Sequence, residues 1–364
     1  MERHAAGPAG CGPSGAGGRL WLRPSPAPAS RPGDSARSRR PDHGEIDAVA
    51  RGGRDGRGAS NHDFGISRDR RGVGWSHAVE LTDQGDWTRV TSEWEVESRG
   101  DLEALRPERL FSLDGKVALI TGAGGGVGGW LALGLAAAGA RVVLSDITGE
   151  RCAGIAERLG AGGKEHHVVA ADLRDPAAPP FIVEGVLSRF GRLDVVVNAA
   201  AVNERRPIAH ADPEVWSSIA DVNLRAAYFL AREAMLTMRE TGGGSIVNIT
   251  SVNAEIGVED VSVYGAHKAA LAQATKTMCV EWAKYRIRVN CISPGFLMTS
   301  LSRPLWQDEA RAKWILARCP QRRPGWPEEL VGACLLLASD AGSFISGASI
   351  LVDGGLLAGS PWNP

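Results

Sequence analysis

From about residue 111, short apolar runs alternate with longer stretches of helical character. Residues 116–121 (KVALIT) form an apolar run between Gly115 and Gly122, the pattern of a strand buried on both faces. Residues 126–139 read as a helix, and 140–146 (ARVVLSD) as the next strand. Further strands are expected at 167–171, 193–198, 245–251, 288–293 and 349–352, with long helical stretches near 213–240 and 262–286. Strands that alternate with helices predict an α/β fold: one doubly wound parallel sheet of about seven strands, covered on both faces. Residues 111–358 lie within the range of one such domain.

The preceding segment has no such pattern. Residues 1–74 contain eight residues from Val, Ile, Leu, Met and Phe, and no Lys. That supplies too little apolar surface to offset roughly 1–2 kcal/mol of backbone ordering per residue. The composition (Gly, Pro, Ala, Ser, Arg) predicts a disordered low-complexity extension. The favoured reading is a dispensable extension, including one translated from a start codon placed too far upstream. The alternatives are a targeting segment, or a basic arm that touches nucleic acid. No amphipathic face forms around Leu20, Trp21 and Leu22, which weakens the targeting reading. Residues 75–110 show no clear period and are expected to be a linker. Residues 359–364 form a C-terminal tail.

Composition narrows the function. Among 364 residues the formal net charge is -1, against a globally basic nucleic-acid binder. No run of about 18 apolar residues exists, so no membrane-spanning helix is expected. The six cysteines (Cys11, Cys152, Cys279, Cys291, Cys319, Cys334) form no CxxC pair. Neither a disulfide scaffold nor a metal site is expected, and a cytoplasmic location is.

The first strand runs into Thr121-Gly122-Ala123-Gly124-Gly125-Gly126-Val127-Gly128. Glycines allow a sharp strand-to-helix turn and let backbone N–H groups approach a pyrophosphate. The helix N-terminus adds about half a positive charge. Asp146 ends the second strand, where an acid accepts bonds from the adenosine ribose hydroxyls and repels a 2′-phosphate. The glycine loop also lacks a basic residue to neutralise that phosphate. The expected cofactor is therefore NAD, with NADP disfavoured, on a Rossmann-type fold.

Tyr264 precedes Lys268 by one helical turn, so both side chains can reach one ligand. A phenol of pKa about 10 is a poor proton shuttle at neutral pH. An ammonium about 4 Å away contributes roughly 4 kcal/mol at an effective dielectric constant of about 20, or about three pKa units. That brings the phenol toward 7, with desolvation opposing it. Ser251 ends the strand at 245–251. Asn223 lies in the helical stretch before it, Asn198 ends the fourth strand, and Pro294-Gly295 follows the sixth.

Taken in order, these motifs resemble the classical short-chain dehydrogenases/reductases across essentially all of 111–358. They comprise the glycine turn, the acid after strand two, Asp172-Leu173, Asn198, Asn223, Ser251, Tyr264-x-x-x-Lys268, Pro294-Gly295 and the closing Val352-Asp353-Gly354-Gly355. The resemblance implies hydride transfer between a nicotinamide dinucleotide and a secondary alcohol or ketone. It makes Tyr264 the general acid/base. Lys268 binds the nicotinamide ribose and lowers the phenol pKa, and Ser251 positions the reacting oxygen. Asn223 holds a water that relays protons from Lys268. Asp172 bonds the adenine amino group, with a backbone contact beside it from Leu173. Asn198 steadies the central sheet and the cofactor, and Thr299 bonds the carboxamide. Gly122, Gly126, Val127, Gly128, Pro294 and Gly295 complete the cofactor site. The resemblance also implies a homotetramer or homodimer packed through the two long helices.

Four positions depart from the family pattern. Ala199 and Ala201 stand where Asn and Gly are usual, and a slight loop displacement is expected. Trp130 replaces a small residue on the first helix: either it crowds the sheet or the next residue turns inward. His267 is expected to face outward, with a second proton carrier as the alternative. For the substrate, Arg205 and Arg206 follow the fourth strand. A similar Arg-containing segment occurs in sugar-acid dehydrogenases of the gluconate 5-dehydrogenase type, where a bidentate carboxylate contact makes sense. Phe296 and Trp306 are expected as apolar walls, which would suit a ring or steroid ketone. A 3-oxoacyl-thioester reductase is the further option. A non-catalytic dinucleotide-binding sensor or scaffold is the rival of another class, although all four catalytic residues are retained.

Overall fold

In the computed structural model, residues 102–359 are described; the side chains of Leu102 and Ala104 are not. The expected extension 1–74 and most of the expected linker lie outside the described residues. So does the tail beyond residue 359.

Seven strands form one sheet: β1 (Val117–Thr121), β2 (Arg141–Asp146), β3 (His166–Ala170), β4 (Val195–Asn198), β5 (Gly244–Ile249), β6 (Ile287–Pro294) and β7 (Ser349–Val352). The order is β3-β2-β1-β4-β5-β6-β7, and every pairing is parallel. After a short α1 (Pro107–Leu110), the helices are α2 (Gly126–Ala137), α3 (Gly149–Ala161), α4 (Ala178–Phe190), α5 (Pro213–Ala220), α6 (Ala227–Thr241), α7 (Ser262–Trp282), α8 (Arg303–Gln307), α9 (Glu309–Arg318) and α10 (Val331–Ala338). The doubly wound α/β fold expected from the alternation is the fold observed.

The pleat explains the continuous apolar runs. In β1, Ala118 and Ile120 join the core under α2, α3 and α10. Val117 and Leu119 join the core under α4, α6 and α7. A strand covered on both faces has no polar side to alternate with.

Two helix expectations change. The stretch read as one helix at 213–240 breaks into α5, a π-helical segment Asp221–Ala226, and α6. A π turn inserts one residue into the helical ladder and commonly occurs at functional sites. Here it carries Asn223. His267, expected to face outward, is 3% exposed. Its Nδ1 lies 2.8 Å from the Val263 carbonyl, and its ring lies 4.6 Å from that of Trp216. Burial pushes its pKa down. The helix face that presents Lys268 to the sheet also turns the adjacent position toward α5. Trp130 stays at the periphery beneath the Arg158 guanidinium, 4.7 Å away, while Leu131 takes the inward place.

Candidate active site

The sheet order reverses between β1 and β4, so their loops part and open a crevice at the carboxyl ends of the strands. The turn after β1 closes tightly on the β4 loop. Gly122 has φ +66°, and a Cβ there would stand 2.7 Å from the Ala200 Cα. Thr121 Oγ1 accepts from the Ala200 N–H at 3.3 Å. Ala199, Ala200 and Ala201 all border the crevice, and Ala201 has an ordinary negative φ, so the departure from Gly causes no backbone strain there.

The crevice holds a cavity of about 640 Å³. Of the expected cofactor residues, it brings together Gly122, Gly126, Val127, Gly128, Asp146, Asp172, Leu173, Pro294, Gly295 and Thr299. Ser251, Tyr264, Lys268, Arg205 and Phe296 line the same space. The glycine turn fits a dinucleotide phosphate: Gly125 and Gly126 present bare backbone at the start of the 12-residue α2. A Cβ at Gly126 would stand 3.6 Å from the Thr299 side chain and fill the gap between them.

Four expected residues are not among those lining the cavity. Asn198 is 4% exposed and donates to Asn248 Oδ1 at 2.8 Å, while Asn248 donates to Thr275 Oγ1 at 2.8 Å. It ties β4 to β5 and α7. Asn223 is 1% exposed; its Nδ2 donates to the Val202 carbonyl, and its Oδ1 accepts from the Val202 N–H, both at 2.8 Å. The side chain thus clamps the β4 loop. Arg206 donates to Glu204 and Asp212, each at 2.6 Å, and its backbone N–H to the Asp260 carbonyl. Its charge is committed to these acids, which corrects its expected place beside Arg205 at the substrate. Trp306 donates Nε1–H to the Leu297 carbonyl at 3.0 Å and braces the loop after β6. Leu297, Leu301 and Leu305 join Phe296 as the apolar wall in its place.

Lys268 is 2% exposed, with Nζ 5.6 Å from the centre of the Tyr264 ring. It donates to the Ile249 carbonyl at 2.7 Å. Burial pushes its ammonium down to about 8, opposed by the Cys291 thiol behind it. Burial pushes the Tyr264 phenol up to about 12; a hydrogen bond from Ser251 and the Arg205 charge pull it back. The expectation of a phenol brought near 7 by Lys268 is therefore not met by the protein groups alone. Desolvation exceeds the combined pull of Ser251 and Arg205, and the Lys268 ammonium is held by the Ile249 carbonyl.

Sequence reasoning missed several residues here. Arg151 and Arg174 enter the cavity beside Asp146 and Asp172. Asn203 and Asn253 also line it, each with a side-chain oxygen buried and without a hydrogen-bond partner. Arg151 has a legible signal, five residues past Asp146. The two Asn residues have none beyond closeness to Arg205 and Ser251.

The glycine turn at a strand-order switch, with Ser251 just past β5 and Tyr264 and Lys268 on α7, defines a dinucleotide-binding oxidoreductase. Residues 122–357 match the family described as Enoyl-(Acyl carrier protein) reductase. The chain is 36% identical over 248 residues to 5-keto-D-gluconate 5-reductase of Escherichia coli (strain K12), covering 68% of this chain and 98% of that protein. It is 35% identical over 245 residues to D-threitol dehydrogenase of Mycolicibacterium smegmatis, covering 67% and 94%. It resembles the crystal structure of a gluconate 5-dehydrogenase from Burkholderia cenocepacia J2315 in complex with NADP and tartrate, at 37% identity and TM-score 0.67, covering 69% of this chain and 98% of that one. The chain belongs to the short-chain dehydrogenase/reductase family, oxidoreductases that act on CH–OH donors with NAD or NADP as acceptor.

Proposed function

We propose that the protein interconverts the secondary alcohol and ketone of a hydroxylated carboxylate, with Tyr264 as the proton-transferring group. The observation that carries this reading is the joint placement of Ser251, Tyr264, Lys268 and Arg205 on one cavity, with the Arg205 charge felt at the phenol. The dinucleotide, when bound, gives or takes the hydride. Ser251 holds the reacting oxygen, and Tyr264 delivers a proton to it in reduction or removes one in oxidation. Lys268, held by Ile249, presents its ammonium to the nicotinamide ribose and the phenol. Asn223 keeps the β4 loop closed over this end of the cavity; its side chain is spent on Val202, so a water relay here would rest on the backbone of the π-helical turn.

Arg205 is half-buried and forms no ion pair among the described residues, and burial lowers its pKa. A substrate carboxylate would supply the missing counter-charge through a bidentate contact. Asn203 and Asn253 favour a substrate that also offers hydroxyls, since a buried acceptor left unpaired costs ~1–3 kcal/mol. The sugar-acid names of the relatives agree with this chemistry. Phe296, Leu297, Leu301 and Leu305 favour a second reading, a ring ketone or acyl thioester.

Asp146 supports NAD as the dinucleotide. Its ion pair with Arg151 weakens the exclusion of NADP, and the Burkholderia relative was solved with NADP. Exposed Trp216, Tyr228, Phe229 and Val280 on α5, α6 and α7 support a homo-oligomer through these helices. Reduction of NAD and NADP should be followed at 340 nm with sugar acids, neutral polyols and hydroxysteroids. Turnover confined to sugar acids is the expected result. Dinucleotide binding without turnover of any CH–OH donor would favour the non-catalytic sensor.

A further inference from the structure

Three segments meet beside Arg205, which lies in the loop after β4 and lines the cavity. Its neighbour Arg206 donates its backbone N–H to the Asp260 carbonyl at 2.8 Å, which pins the β4 loop to the loop before α7. The Asp260 carboxylate accepts from Arg311 Nη2 at 3.0 Å, so the first turn of α9 joins the same cluster. Arg311 also pairs with Asp308, its Nε 3.3 Å from Oδ2. Neither Asp260 nor Arg311 lines the cavity, so each acts on it through its charge.

Asp260 is held in an unusual backbone conformation. Its φ of +65° lies in the left-handed region, shared among the described non-glycine residues by Arg286 and Arg322 alone. Asp and Asn tolerate that region better than most side chains, and such positions gather at functional sites. Burial lowers the pKa of Arg205, the Arg311 charge lowers it further, and Tyr264 and Asp260 oppose them. The charges are thus unevenly shared. Arg311 has two acids, Asp260 has Arg311, and Arg205 has no ion pair among the described residues. Lys268, the other cation at this end, is turned to the Ile249 carbonyl.

We propose that Asp260 and Arg311 are specificity-determining residues: Arg311 keeps Asp260 off Arg205 and Asp260 cancels Arg311, so that the substrate end presents one open guanidinium and selects acids with a single carboxylate. A second carboxylate on a short substrate would meet the Asp260 charge with no free cation to receive it, which is discrimination by an unpaired charge. The inference deepens the reading of the substrate as a hydroxylated carboxylate held by Arg205, and rests on it.

The test titrates the full chain by calorimetry with 3,4-dihydroxybutyrate and with malate, which differ in one terminal CH2OH replaced by a second carboxylate. The wild type is expected to bind the monoacid about 10-fold more tightly or better. Asp260→Asn keeps a side chain that tolerates the left-handed backbone. It should tighten malate about 10-fold or more and the monoacid less than about 3-fold, because Arg311 is then free to attract the second carboxylate. Arg311→Met should act in the opposite direction: Asp260 is released to Arg205, and the monoacid weakens about 10-fold. A mere brace between α9 and α7 would lose affinity in both variants, and that result would overturn the proposal. Affinities unchanged in both variants, or equal gains for the two acids in Asp260→Asn, would overturn it too. A wild type that binds the two acids alike would sink the inference and leave the carboxylate reading standing. Binding of the monoacid that survives Arg205→Ala, or no binding of either acid, would sink both.

Discussion

The Lys268 ammonium lies 5.6 Å from the centre of the Tyr264 ring, and its proton is directed to the Ile249 carbonyl at 2.7 Å. The pair is thus arranged around a strand-end carbonyl, with the phenol facing the cavity. If Tyr264 moves the proton, Tyr264→Phe should keep dinucleotide affinity and lower kcat by ~100-fold or more. Near-normal turnover in that variant would refute the assignment.

Burying Lys268 carries a stability cost. Depression from 10.5 to about 8 corresponds to ~3 kcal/mol against the charged form at neutral pH. Lys268→Met removes that cost at the expense of one hydrogen bond to Ile249. The variant should be inactive and melt at least ~3 °C higher at pH 7. Between pH 8 and 10.5 the unfolded wild type holds a proton that the folded one has released. Wild-type stability therefore rises with pH through that window, and the variant's advantage should fade. The raised thiols of Cys152 and Cys334 are common to both proteins and cancel in the difference. A melting-temperature difference that stays constant from pH 7 to 10.5 would count against a depressed Lys268.

Arg205 is expected to act twice. Arg205→Ala should raise KM for a carboxylated substrate ~10–100-fold and affect a neutral polyol much less. Its charge also holds the Tyr264 phenol down. Oxidation requires the phenolate and climbs with pH, so the variant's alkaline limb should move to higher pH. Steady-state profiles in the oxidative direction measure both effects; an unmoved limb separates Arg205 from Tyr264.

Asp146 joins the glycine turn to the start of α3. Asp146→Ala should weaken NAD binding and shift selectivity toward NADP, by ~10-fold in the ratio of kcat/KM values. Unchanged selectivity would remove Asp146 from the ribose contact.

The relatives align almost over their full lengths with about two thirds of this chain. A protein lacking residues 1–101 should therefore keep its melting temperature and its activity. An insoluble or inactive product would give that segment a structural role.

Much of the molecule is legible from local pattern. Runs such as 116–121 and 140–146 predict β1 and β2 because strands buried on both faces must be apolar throughout. The spacing of Tyr264 and Lys268 predicts a shared helix face because α7 repeats every 3.6 residues. Other features resisted the same reading. The π-helical turn at 221–226 is absent from any periodicity, because it arises where Asn223 is drawn to Val202 across the fold. Arg205 and Arg206 are neighbours of one type, and only the acids Glu204 and Asp212 decide that one of them is committed elsewhere. His267 reads as a surface position until Trp216 on α5 covers it.

The sequence by itself determined the parallel α/β sheet, the glycine turn and the Ser-Tyr-Lys set proposed to react. These depend on backbone freedom, on burial and on helical spacing, which are properties of short segments. Tertiary structure alone decided the electrostatics. Burial, set by the layers closing over α7, outweighs the pull of Ser251 and Arg205 and pushes the phenol up to about 12, and it pushes the lysine down to about 8. The approach of Arg151 to Asp146 likewise turns an acid that reads as a barrier to phosphate into half of an ion pair. Charges act through space and desolvation, so their balance is fixed only when distant segments meet.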